Sequence, residues 1–132
     1  RDLLAFQPDI VTIKLGTNDS KPWNWHYGKD FGKDLTEMLD ILQDLPSKPK
    51  IYLCFPVPAV KRNFGINDSV ITNAIIPVIR RVAKKRHLPV VDLYALLKPH
   101  PDYYTDGIHP NEQGAALIAG ELYRTLTGNE AP

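Results

Sequence analysis

The chain has 132 residues, 43% of them hydrophobic and 23% charged, and a formal net charge of +1. That length suits one globular domain, and the near-neutral balance excludes the strongly basic surface that a nucleic-acid partner requires. No apolar run is long enough to cross a membrane, and a single cysteine, Cys54, excludes an internal disulfide.

The opening stretch "RDLLAFQPDIVTIKL" reads as the end of a helix already feeding a strand, with no initiator methionine and no signal peptide. The expectation is a chain cut from something longer. Asp9 to Leu15, rich in β-branched residues and bounded by Pro8 and Gly16, is the first predicted strand. Phe31, Leu35, Met38, Leu39, Leu42 and Leu45 follow helical spacing, with Asp30 as the expected cap and Pro46 just beyond the end. Lys50 to Phe55 is a second strand, stopped by Pro56 and Pro58 and carrying Cys54 as a buried, inert thiol.

A second helical stripe runs from Val70 to Val82. Asp68 or Ser69 caps it, and Pro77 inside it demands a kink or a late start. Its basic end, Arg80 to Arg86, complements the helix dipole. Leu88 to Tyr94 is a third strand, and a loop from Lys98 to His109 leads to a last helix opened by Pro110. Ala115, Ile118, Ala119, Leu122, Tyr123 and Leu126 form its expected buried face. Strands alternating with helices imply a parallel sheet covered on both faces, an α/β fold. Ligands bind beyond the carboxyl ends of such strands. Gly16–Tyr27, Pro56–Asn67 and Lys98–His109 therefore share one rim.

Residues able to carry chemistry fall in these rim segments. In "LGTND", Gly16 permits a sharp turn and Asn18 can aim an amide N–H at a developing oxyanion; a plain turn would use the same residues. In "DGIHP", Asp106 can hold the His109 ring in one tautomer, as a general base requires. A turn residue and a helix cap would also explain that pair. In "KPWNWHY", Trp23, Trp25 and His26 are candidate pocket-wall residues, with Arg62 and Asn63 weaker ones across the rim.

Together, "LGTND" after a strand and "DGIHPN" before the last helix resemble the third and fifth blocks of the SGNH, or GDSL, hydrolases. The resemblance extends through "PDIVTIKLGTND", "VVDLY" and "DGIHPNEQGA". It implies a serine esterase on a flavodoxin-like, three-layer αβα fold, with residues 1–132 as one domain holding the last three of about five parallel strands. His109 would be the general base, Asp106 its orienting acid and Asn18 an oxyanion-hole donor; Gly16, Asp19, Trp23, Trp25 and His26 would border the substrate. The wording "GTNDSKPWNW" and "PSKPKIYLCFPVP" is similar to bacterial members that remove acetyl groups from sugars, including sialate O-acetylesterase-like proteins.

The family's first block, with its nucleophilic serine, and its second, with an oxyanion-hole glycine, have no counterpart here. "INDSVIT" echoes the first only superficially, since Ser69 opens a helix, and Ser20 closes a turn. The resemblance therefore implies an upstream segment as partner, bringing the serine to a small ester substrate such as an acetylated sugar. It implies no cofactor, and the fragment alone should be inactive. Two other readings stay open: a non-catalytic sugar-binding module built on the tryptophan loop, and a metal hydrolase using Asp19, His26, Asp106 and His109. The compartment is open as well; a signal peptide on the parent would make it periplasmic or secreted.

Overall fold

The computed structural model describes residues 5–131. Three parallel strands form one sheet in the order β1 (Ile10–Ile13), β2 (Lys50–Cys54), β3 (Val90–Val91). Ile13 pairs with Leu53, and Leu53 in turn with Val90. Strand alternation divides the core. Ile51, Leu53 and Ile13 point into one cluster with Leu35, Leu39, Ile75 and Ile79, whereas Cys54 and Val91 point into a second with Leu93 and Leu97. Helices α1 (Pro22–Trp25) and α2 (Gly28–Gln43) follow β1. A helical run, α3, joins Asp68–Val70, a π-helical Ile71–Ile75 and Ile76–Arg86. The short α4 (Leu93–Leu97) and the long α5 (Glu112–Thr127) complete the order. This is the expected α/β fold, with α2 and α3 packed on one face of the sheet and α4 and α5 on the other.

Several local expectations need correction. Arg1 to Leu4, the start of the supposed leading helix, lie outside the described residues, and Ala5 and Phe6 are helical. The third strand shrinks to Val90–Val91 because Asp92 accepts the Ala95 N–H and starts α4. Asp30 does not cap α2; it lies in the first turn, and the N-cap is Tyr27, without a side-chain bond. The cap of α3 is Asn67, whose side chain accepts Ser69 N–H at 3.0 Å, not Asp68 or Ser69. Pro77 meets the expectation of a late start: a π segment ends at Ile75 and the regular α segment opens at Ile76, so the position without an N–H falls in its first turn. Pro110 precedes the Asn111 cap of α5 and bridges to Tyr104.

The face of α5 also differs from expectation. Leu117, Ile118 and Leu122 pack on the second core, but Ala115, Ala119 and Tyr123 are exposed. On the same side of the sheet, Ile10 and Thr12 of β1 are exposed, since Thr12 pairs with Tyr52 of the second cluster. The far edge of β1 carries no strand among the described residues. The basic end of α3 is folded back: Arg86 pairs with Asp40 and Gln43 of α2, and the Arg80 guanidinium lies 4.9 Å over the Phe55 ring. Cys54 is a buried free thiol, its pKa raised by burial against the opposing charge of Lys14.

Asp68 has a larger task than capping. Its Oδ1 accepts the Ala59 N–H at 2.8 Å and its Oδ2 the Tyr94 hydroxyl at 2.8 Å, tying the second rim loop, α3 and α4 at one point. The Tyr94 phenol is pushed up to about 12 by burial first, then by the Asp68 bond and charge. Asp68→Ala leaves both donors without an acceptor, and bonds to a charged group are worth about 1.5–3 kcal/mol each. Urea unfolding should show a loss of about 3–6 kcal/mol at unchanged m-value. A loss within error would mean that the loop is held elsewhere.

Candidate active site

Two backbone turns bring the polar groups to the rim. After β1, Gly16 adopts φ +113, and a Cβ there would meet Ile75 Cγ2 at 2.5 Å, so only glycine fits. A 3-10 turn follows, Asn18–Ser20, whose Asn18 carbonyl accepts the Asn24 amide at 2.8 Å. Ser20 is fully buried. Its hydroxyl donates to Thr17 O at 2.7 Å and accepts Asn67 N–H at 3.0 Å, latching the first rim loop to the second. The Asn18 side chain is exposed on the cleft.

Before α5, one carboxylate organises a whole turn. Asp106 Oδ1 accepts the backbone N–H of Ile108 at 2.9 Å and of His109 at 2.8 Å, and Oδ2 meets His109 Nδ1 at 2.7 Å. Gly107, at φ +88, sits where a Cβ would lie 2.6 Å from Lys61 Cβ. The second rim loop grips this turn: Val60 N–H donates to Gly107 O at 2.9 Å and Asn63 Nδ2 to Asp106 O at 3.2 Å. Thr105 N–H closes the neck on His109 O at 2.9 Å. The His109 side chain remains 67% exposed. With Nδ1 bound to the carboxylate, Nε2 is the ring nitrogen left for proton transfer. The Asp106 pKa falls from 3.8 to about 2, chiefly through the His109 backbone N–H, then the His109 ring and the Ile108 N–H.

Asn18 and His109 line one cleft of about 490 Å³ together with Gly16, Asp19, Phe64 and Ile108. Asp19 also borders a smaller cleft of about 230 Å³ that contains Trp25. Trp25 is partly buried and tilts against Phe31, with ring centroids 6.2 Å apart, so much of its surface belongs to the core. Trp23 is 62% exposed and lies over Gly65, where a Cβ would be 2.4 Å from its ring. His26 stands edge-on to Tyr27 at 5.0 Å, away from the lining of the His109 cleft. Gly16 and Asp19 thus meet Asn18, His109 and, through its bond, Asp106; Trp23, Trp25 and His26 do not line that cleft. Asp19, His26, Asp106 and His109 do not converge, and among the described residues no group of three or more His, Cys, Asp or Glu is placed to hold a metal ion.

None of the chain's serines lines the cleft. Ser20 is consumed by its latch, and Ser69 Oγ accepts the Asn73 amide. Ser47 lies before β2, at the opposite end of the sheet. Phe64, which stands edge-on to His109 with ring centroids 5.9 Å apart, was not among the expected site residues. The available signal was an aromatic followed by glycine in an otherwise polar loop, "KRNFGIN".

Residues 1–117 match the GDSL-like Lipase/Acylhydrolase family. The chain is 48% identical over 137 residues to an acetylxylan esterase of Xylanibacter ruminicola, covering 90% of this chain and 28% of that protein. A GDSL esterase/lipase of Arabidopsis thaliana is 27% identical over 92% of this chain and 56% of its own length. The chain thus spans between about a quarter and just over half of these curated relatives. In fold it is similar to the lipase/acylhydrolase from Enterococcus faecalis, with a TM-score of 0.81 at 24% identity, over 100% of this chain and 68% of that one.

The depressed Asp106 pKa makes a direct prediction. The folded value lies below the unfolded one, so the stabilisation is fully present above about pH 3.8 and is lost as pH falls through about 2. Carbon-13 NMR of the Asp106 carboxyl should give a midpoint near 2. A midpoint at the ordinary value near 3.8 would show that the turn and ring bonds do not persist in solution.

Proposed function

The chain belongs to the GDSL-like Lipase/Acylhydrolase family, and from that premise we propose that it supplies the base and oxyanion side of a serine esterase acting on O-acetylated carbohydrate. One observation carries the reading: the Asp106–His109 bond at 2.7 Å, facing a cleft that Asn18 also lines. Ester hydrolysis by acyl transfer needs a hydroxyl deprotonated as it attacks the carbonyl carbon. His109 Nε2 takes that proton, and the Asp106 carboxylate holds the tautomer and stabilises the imidazolium. The Asn18 side-chain amide donates to the oxygen on which negative charge develops. His109 then returns the proton to the departing sugar oxygen. Water then attacks the acyl carbon, losing a proton to the same nitrogen; the bond from that carbon to the serine oxygen breaks, acetate leaves, and His109 returns the proton to the serine.

The nucleophilic serine comes from a segment outside residues 1–132, because Ser20, Ser47 and Ser69 are all placed elsewhere. The open edge of β1 is the natural seat for it. Leu15, at the carboxyl end of that strand, is 43% exposed and lines the His109 cleft. A strand added there would end beside His109. The similarity to an acetylxylan esterase supports the carbohydrate acetate as substrate.

In the complete protein, a serine-directed phosphonate should label one serine and abolish hydrolysis of acetylated xylo-oligosaccharides. Activity should survive a chelator. His109→Ala should lower kcat by roughly 10³–10⁶-fold, and Asn18→Ala by roughly 10²–10³-fold. Full activity in His109→Ala would remove the proposed base, and loss of activity on chelation would favour a metal-dependent hydrolase.

A further inference from the structure

Phe64 stands at the tip of a tight turn, which the Ile66 N–H closes on the Asn63 carbonyl at 2.9 Å and which does not require an aromatic side chain there. The residue is 57% exposed, so more than half of it faces solvent. Its backbone is left-handed, at φ 51, a region where a bulky residue is an outlier. The loop around it is nonetheless tightly defined. Asn63 Oδ1 accepts the Phe64 N–H at 3.0 Å while Asn63 Nδ2 donates to Asp106 O, so one side chain links the Phe64 backbone to the catalytic turn. Gly65 continues at φ +76 beneath the Trp23 ring. Phe64 thus projects between two clefts: the one holding Asn18 and His109, and a second of about 370 Å³ lined by Pro22, Arg62, Asn63 and Asn67. An anchored ring with an open face between two clefts is a surface that a ligand entering either one would meet.

We propose that Phe64 is a specificity-determining residue that stacks against the pyranose ring bearing the acetate. This rests on the esterase reading of the same cleft. A pyranose presents a face of C–H groups, which suits a fixed aromatic surface, and a rim of hydroxyls. The second cleft meets that rim with Arg62, Asn63 and Asn67. The ring edge already lies against His109, with centroids 5.9 Å apart, so a sugar seated beyond Phe64 directs its esterified oxygen toward the proton-transferring imidazole. Phe64 takes no part in bond making. It binds the alcohol portion of the ester in ground and transition states alike, and its removal acts on KM.

The test uses the complete, active protein and two acetates: an acetylated xylo-oligosaccharide and trifluoroethyl acetate, which has an activated ester but no ring to stack. Phe64→Ala should raise KM for the oligosaccharide roughly 10-fold with kcat little changed. Its kcat/KM for trifluoroethyl acetate should stay within about 2-fold of wild type. Phe64→Trp should restore the oligosaccharide KM, whereas Phe64→Leu, apolar but not planar, should not. Equal losses on both substrates would assign Phe64 to positioning His109 instead, and no loss on either would leave it without a substrate contact; each overturns the proposal. Wild-type protein that cleaves trifluoroethyl acetate but no acetylated sugar overturns the sugar contact alone. Wild-type protein that cleaves neither overturns the esterase reading together with it.

Discussion

Parallel pairing of three short strands is the constraint on which the rest depends. Because β1, β2 and β3 run the same way, every chain exit from the sheet falls on one rim. Residues as distant in sequence as Asn18 and His109 are thereby delivered to one cleft. The strands are only four, five and two residues long, so their own ladder bonds are few. Their orientation is enforced by two apolar layers, with α2 and α3 packed on Ile13, Ile51 and Leu53 and α4 and α5 packed on Cys54 and Val91. Burial of those faces stabilises the sheet, and the sheet positions the rim.

Burial cannot fix loop geometry to the tolerance that proton transfer requires, and polar ties take over there. Ser20 latches the first rim loop to the second through Asn67 N–H. Asp68 holds the second loop at Ala59. Val60 and Asn63 of that loop then hold the turn of Asp106 and Gly107. The catalytic-looking pair is therefore the last member of a chain of hydrogen bonds that begins beside β1. Each tie satisfies a backbone group that a loop would otherwise expose or strand.

The fold was legible where one physical signal dominates. The β-branched run of β1, the apolar run of β2 stopped by prolines, the helical stripes of α2 and α3, and the turn glycines 16 and 107 all read correctly from the residues. The resemblance carried by "LGTND" and "DGIHPN" agrees with a family match over residues 1–117. Reading failed where two signals compete within a few positions. Asn67, Asp68 and Ser69 are all good caps, and only the tertiary neighbours Ala59 and Tyr94 draw Asp68 away from that role. Asp92 stops β3 early because its side chain offers the backbone a helix start, which the apolar run "LPVVDLY" conceals. The tryptophans attracted notice by size, yet Trp25 serves the core and Trp23 covers a glycine.

Left-handed backbone recurs along the chain, at glycines and also at Gln7, Lys48, Phe64 and His87. Gly16 and Gly107 combine positive φ with neighbours that leave no room for a Cβ. His87 adopts positive φ as the C-cap of α3, where a left-handed residue lets its N–H reach the Ala83 and Lys84 carbonyls. Phe64 does so as the first central residue of the turn that the Ile66 N–H closes on the Asn63 carbonyl at 2.9 Å, with Gly65 as the second. Glycine at position 64 would suit that turn's backbone better but would forfeit the ring's partial burial and its edge-on contact with His109. The turn fixes the backbone at position 64, and the exposed face of the ring beside the His109 imidazole is what marks Phe64 as the proposed contact for a substrate's alcohol portion.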